Sequence, residues 1–134
     1  MSEDESYLPL RRAPSHETLA PGLRAYEEMP MWLQDNAFIR THYRPPNKSF
    51  AYYLLSVFWL HNEFMNVWTH LLGCAYYARL IYCISQPNHP RYKDLDDLTP
   101  LLIFYVGGCT AFVASSLYHI FASHSSSMRE ALVK

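Results

Sequence analysis

The chain has 134 residues, half of them hydrophobic and 16% aromatic, with only 17% charged, against about 25% in ordinary soluble domains. Its length suits one domain, and 11 basic residues against 12 acids leave no basic excess to hold a nucleic-acid backbone. Three cysteines with no CxxC pair exclude both a disulfide-stapled module and a zinc ribbon.

The apolar residues are unevenly placed. A mean hydropathy of -0.14 averages a polar front third with two segments of membrane-crossing length. The expected fold is an all-α membrane protein with two transmembrane helices and a short interfacial helix.

Residues 1–30 read as a disordered tail. Glu3, Asp4 and Glu5 open it, and Pro9, Pro14, Pro21, Gly22 and Pro30 interrupt any long helix. No basic region followed by an apolar run marks a secretory signal. Residues 31–63 form the next unit. Met31, Trp32, Leu33, Phe38 and Ile39 mix with Asp35, Arg40 and Arg44, and Pro45-Pro46 forces an extended stretch. Two readings are open here, a surface loop with apolar anchors or a juxtamembrane segment. The run SFAYYLLSVFWL, Ser49–Leu60, carries Phe50, Tyr52, Tyr53, Phe58 and Trp59, residue types favoured at a membrane interface. Too short to cross about 30 Å of hydrocarbon, it suits a helix lying along the interface.

The first span is expected over 64–84. Asn66, His70, Gly73 and Tyr77 share one face of it, and such a face should meet other helices and not lipid. Arg79 lies near the end and can reach the headgroups. Residues 85–98 read as a loop. The second span is expected over 99–122, with Thr99 as N-cap and Pro100 at the first helical position. From Leu101 to Ala122 it contains no Asp, Glu, Lys or Arg.

Gly107, Ala111, Ser115 and His119 recur every four residues along this span, a spacing that lets helices approach closely. The stripe ends on an ionisable group. Spacing leaves two readings of His119: a packing residue that hydrogen-bonds a neighbour, or a metal ligand or proton handler. Residues 123–134 read as a short tail. Arg40, Arg44 and Lys48 before the first span and Arg129 and Lys134 after the second outnumber Arg91 and Lys93 between them. That bias places both termini in the cytoplasm.

With these residues laid out, the chain resembles the amino-terminal half of the progestin and adipoQ receptor family, related to hemolysin III proteins. The resemblance runs from about Pro30 to Ser125, through Met31-Trp-Leu-Gln-Asp-Asn and Tyr43-Arg-Pro-Pro. It is densest at His61-Asn-Glu-Phe-Met-Asn-Val-Trp-Thr-His-Leu-Leu-Gly73, and it resumes at Ser115-Ser-Leu-Tyr-His119 and His124-Ser125.

The resemblance implies a seven-helix membrane receptor with a cytoplasmic amino terminus and a zinc ion near the cytoplasmic side. Hydrolysis of ceramide-like lipid amides is proposed for several members. By the same resemblance His119 is a zinc ligand, Ser115 stands beside the metal-bound water, and Glu63, Asn66 and Thr69 form a polar network next to the site. The family's other zinc ligands, a His-xxx-His on the last helix, have no counterpart before Lys134, nor has an aspartate of the third helix. An incomplete zinc site is therefore expected, in a fragment, splice form or truncated gene model that is inactive by itself. Expected partners are membrane lipids, a hormone or lipid ligand, and full-length family members that a short two-span form could modulate. A soluble helical binding domain is the third reading, supported only by the polar groups of the first span.

Overall fold

The computed structural model describes residues 22–86 and 95–134. The described residues are all-helical apart from one isolated antiparallel bridge. In chain order the helices are α1 (Phe50–Ser56), α2 (Phe64–Ile84), α3 (Leu95–Phe121) and α4 (Ser126–Val133), preceded by 3₁₀ turns at Tyr26–Glu28 and Met31–Leu33.

Residues 22–30, expected as part of a disordered tail, are folded. Leu23, Ala25 and Met29 are buried, and Met29 packs with Leu33 and Tyr43 in a small core. The Arg24 N–H donates to the Tyr43 carbonyl at 2.8 Å, and the Tyr43 N–H returns the bond at 3.0 Å. The Gln34 amide donates to the Tyr26 and Met29 carbonyls at 3.2 and 2.9 Å. The prolines do prevent a long helix here. Order comes instead from downstream partners, as far away as Tyr43, which local turn signals cannot show. The remainder of the expected tail, 1–21, lies outside the described residues.

The aromatic run yields a shorter helix than its length suggests. Ser49 caps α1 by accepting from the Tyr52 N–H at 3.2 Å, and the helix stops at Ser56. Its inner face, Tyr53 and Ser56, is buried, whereas Phe50, Leu54 and Leu55 are exposed. The Trp68 indole N–H donates to the Val57 carbonyl at 2.8 Å and pins the turn after α1 onto α2.

Helices α2 and α3 pack side by side and antiparallel. The partners run in opposite senses: His70 with His119, Gly73 with Phe112, Cys74 with Cys109, Tyr77 with Gly108 and Tyr105. Of the expected α2 face, His70, Gly73 and Tyr77 meet α3, whereas Asn66 at its head is exposed and bonds Glu63. On α3 the packing face is not the Gly107–Ala111 stripe. A Cβ at Gly108 would clash with the Tyr77 ring, and one at Gly73 would lie 2.8 Å from the Phe112 ring. A Cβ at Gly107 would meet nothing within 4 Å, and Ala111 is exposed. One residue turns a helix by about 100°, so either of two adjacent glycines could have served. The Tyr77 ring selects Gly108.

The start of α3 also departs from expectation. It begins at Leu95, ahead of Thr99, and Pro100 stands inside it. The lack of an N–H at Pro100 removes one backbone hydrogen bond near the helix start. The expected 85–98 loop is thereby shortened, and its residues 87–94 lie outside the described residues. Among the described helices, only Leu98–Phe121 is long and apolar enough to cross a membrane. Only 6% of its most apolar window is fully buried, and Ile103, Phe104, Val106, Val113 and Leu117 are exposed. Helix α2 has the length to cross, at 21 residues and about 1.5 Å each, but carries Asn66, Thr69, His70 and Arg79.

The expected short tail after 122 holds α4. Ser125 caps it by accepting from the Met128 N–H at 3.2 Å. Arg129 Nη2 lies 2.7 Å from each oxygen of the Asp35 carboxylate, and Nη1 donates to the Trp32 carbonyl. The main core lies where α1, the start of α2 and the end of α3 converge, around Tyr53, Val57, Val67 and Ile120. Each such aliphatic side chain contributes about 1.5–3 kcal/mol by burial.

Candidate functional site

The site forms at one end of the α2/α3 pair. Because the helices are antiparallel, the N-cap of α2 and the last turn of α3 meet, which brings Glu63 to His119 across 56 positions. Glu63 Oε2 lies 2.9 Å from His119 Nδ1, and both side chains are about four-fifths buried. The Asn66 amide donates to the same carboxylate oxygen at 2.6 Å. The His70 ring stands edge-on to His119, with centroids 5.4 Å apart, and its buried Nδ1 has no hydrogen-bond partner among the described residues.

Electrostatics define the state of the carboxylate. Burial alone would raise the Glu63 pKa. Hydrogen bonds from His119 and Asn66, with the positive charge of Arg44 behind them, outweigh burial and hold it below the usual carboxylate range. Glu63 is therefore ionised at neutral pH and can only accept. His119 Nδ1 consequently carries the proton of this bond, and in the neutral imidazole the lone pair is left on Nε2.

Behind the pair, Arg44 is 1% exposed. Its guanidinium donates to Ser56 Oγ at 2.9 Å and to the carbonyls of Ile120 and His119 at 3.0 and 2.6 Å. Burial lowers its pKa to about 10, against the attraction of Glu63, which keeps it charged at neutral pH. His61, buried beside it, accepts from the Glu63 N–H at 3.1 Å. Burial, and next the Arg44 charge, push His61 down to about 3, so it is neutral.

Of the residues singled out from sequence, Glu63, Asn66 and His119 come together. Thr69 does not join them by its side chain: its hydroxyl turns back to the Met65 and Asn66 carbonyls at 2.8 and 3.2 Å, a common habit of helical threonine. Ser115 lies one turn before His119 on α3, half-buried. Its neighbour Ser116 is the buried serine and bonds the Phe112 carbonyl at 2.8 Å. Sequence reading did not assign Arg44, His61 or His70 to the site. The available signals were that His61 and His70 stand in the densest stretch of the resemblance and that Arg44 immediately precedes a double proline, where the chain must run extended.

The side chains present do not by themselves fit a zinc ion. Among the described residues no group of three or more His, Cys, Asp or Glu could hold a metal, and a catalytic zinc asks for three protein ligands. His119 presents one free nitrogen, already oriented by a carboxylate in the manner that supports ligating histidines.

A family model described as haemolysin-III related matches residues 58–134. The chain is 35% identical over 102 residues to progestin and adipoQ receptor-like protein 1 of Caenorhabditis elegans, covering 75% of this chain and 23% of that protein. It is 35% identical over 106 residues to the adiponectin receptor protein of Drosophila melanogaster, covering 77% and 23%. With heptahelical transmembrane protein 1 of Arabidopsis thaliana it shares 31% over 119 residues, covering 84% and 35%. The chain thus spans about a quarter to a third of the length of these curated relatives. By the family match over residues 58–134 and the likeness to these relatives, the chain belongs to the haemolysin-III related family of membrane proteins, together with the progestin and adipoQ receptors.

Proposed function

We propose that this chain is the amino-terminal part of a multi-pass membrane receptor of the progestin and adipoQ type. In this reading α2 and α3 both cross the bilayer, α1 lies along its cytoplasmic face, and both ends of the described chain are cytoplasmic. The observation that carries it is the family match together with the largely unburied apolar surface of α3. Two further features support it. His70 of α2 is turned inward against α3, and Phe50, Leu54, Leu55, Phe58 and Leu60 are exposed apolar groups before α2. The ligand is a hormone or lipid, and zinc binding by His119, with any lipid amide hydrolysis near Ser115, belongs only to a longer protein that supplies the other ligands.

Carbonate extraction and protease protection of a chain tagged at both ends test this. The protein should stay in the membrane pellet, with both tags digested from the cytosolic side of intact vesicles. Release by carbonate overturns the membrane reading, and one protected tag overturns the two-span topology. A second reading, in which a short form binds and modulates full-length relatives, is favoured by the open face around Gly107 and Ala111. Co-purification in mild detergent without any full-length relative would sink it.

A further inference from the structure

We propose that Arg44 is the positioning residue of His119, holding the backbone of that histidine so that its ring meets Glu63. The inference rests on the reading of His119 as the residue that acts at this site. It starts from an accounting of the end of α3. The last four carbonyls of a helix lack the N–H groups of a following turn. Here Tyr118 O receives the Ala122 N–H at 2.7 Å, and Phe121 O receives the His124 N–H at 2.8 Å. The two between them, His119 O and Ile120 O, are taken by the Arg44 guanidinium.

No other described side chain donates to these two carbonyls, and Arg44 is brought to them by a rigid approach. The Arg24–Tyr43 bridge fixes the residue before it, and Pro45 and Pro46 fix the chain after it. Its third bond, to Ser56 Oγ, ties the same guanidinium to α1. Among the described residues Arg44 makes no direct ion pair. Its hydrogen bonds go to the negative end of α3, while Glu63 holds the other side of His119. The histidine is thus held both at its carbonyl, by Arg44, and at its ring, by Glu63. A planar fork can serve two adjacent carbonyls and a hydroxyl at once, whereas the single ammonium of lysine cannot reproduce that spread.

Ring-¹⁵N histidine NMR of the full chain in detergent micelles, at one neutral pH, tests the proposal. His119 is assigned by its loss in His119→Gln, and the Trp68 indole N–H, bonded to Val57, reports the intact fold. Arg44→Gln should shift both His119 ring nitrogens while the Trp68 signal stays in place. Arg44→Lys should move His119 part of the way, and Ser56→Ala should leave it unmoved because the carbonyl bonds persist. A folded Arg44→Gln with unchanged His119 signals overturns the proposal. Should that variant not fold, Arg44→Lys decides, with unchanged His119 signals again the overturning result. Failure of a longer chain to bind zinc through His119 would end the metal reading and leave these shifts as they are.

Discussion

His119 Nδ1 and Glu63 Oε2 stand 2.9 Å apart at the junction of α3 and α2, so the imidazole is oriented by an ionised carboxylate. Glu63→Gln keeps the shape but gives His119 a neutral acceptor. Losing the charge assistance should cost about 1–2 kcal/mol. Chemical unfolding of the chain in mild detergent would read it, and unchanged stability would mean that the pair contributes nothing net.

The two adjacent glycines of α3 should respond in opposite ways. Gly108→Ala drives a methyl into the Tyr77 ring and should destabilise by about 1–3 kcal/mol. Gly107→Ala meets open space and should be neutral or stabilise by up to about 1 kcal/mol through helix propensity. Thermal unfolding of the two variants side by side decides it, and equal losses would contradict the packing face described above.

Stability should fall on mild acidification because of His61. Its pKa in the folded chain is about 3, below the ordinary 6.5. Between those values the unfolded chain binds a proton that the folded chain does not, so stability is lost as pH falls through this window. At pH 5 the loss amounts to about 2 kcal/mol relative to neutral pH. Glu63, whose pKa is also depressed, adds a loss in the same direction at lower pH. Unfolding curves at pH 7 and pH 5 for the native chain and His61→Phe should differ in slope, with the variant the flatter.

The thiols of Cys74 and Cys109 lie 3.2 Å apart across the helix pair, next to the glycines that set its spacing. Copper(II)–phenanthroline, acting as oxidant, should remove the two thiol hydrogens and join these residues within one chain, leaving Cys83 free. Alkylation followed by peptide mass spectrometry reads the product. Full alkylation of both thiols after oxidation would contradict the helix register.

Much of this protein was legible in the residues alone. The bounds of α2, the inward face of His70, Gly73 and Tyr77, and the family itself follow from local chemistry and motif spacing. Such features depend on residues a few positions apart, where side-chain type and backbone geometry are directly coupled. Tertiary structure decided the rest. It chose Gly108 over Gly107 through the Tyr77 ring, turned Thr69 back to its own helix, and folded residues 22–30 against Tyr43. It also drew Arg44, which charge counting treats as one more flanking cation, into the interior. The reason is physical: two carbonyls at the end of α3 have no donor in their own helix, and only the folded chain shows that the arginine 75 positions earlier supplies it.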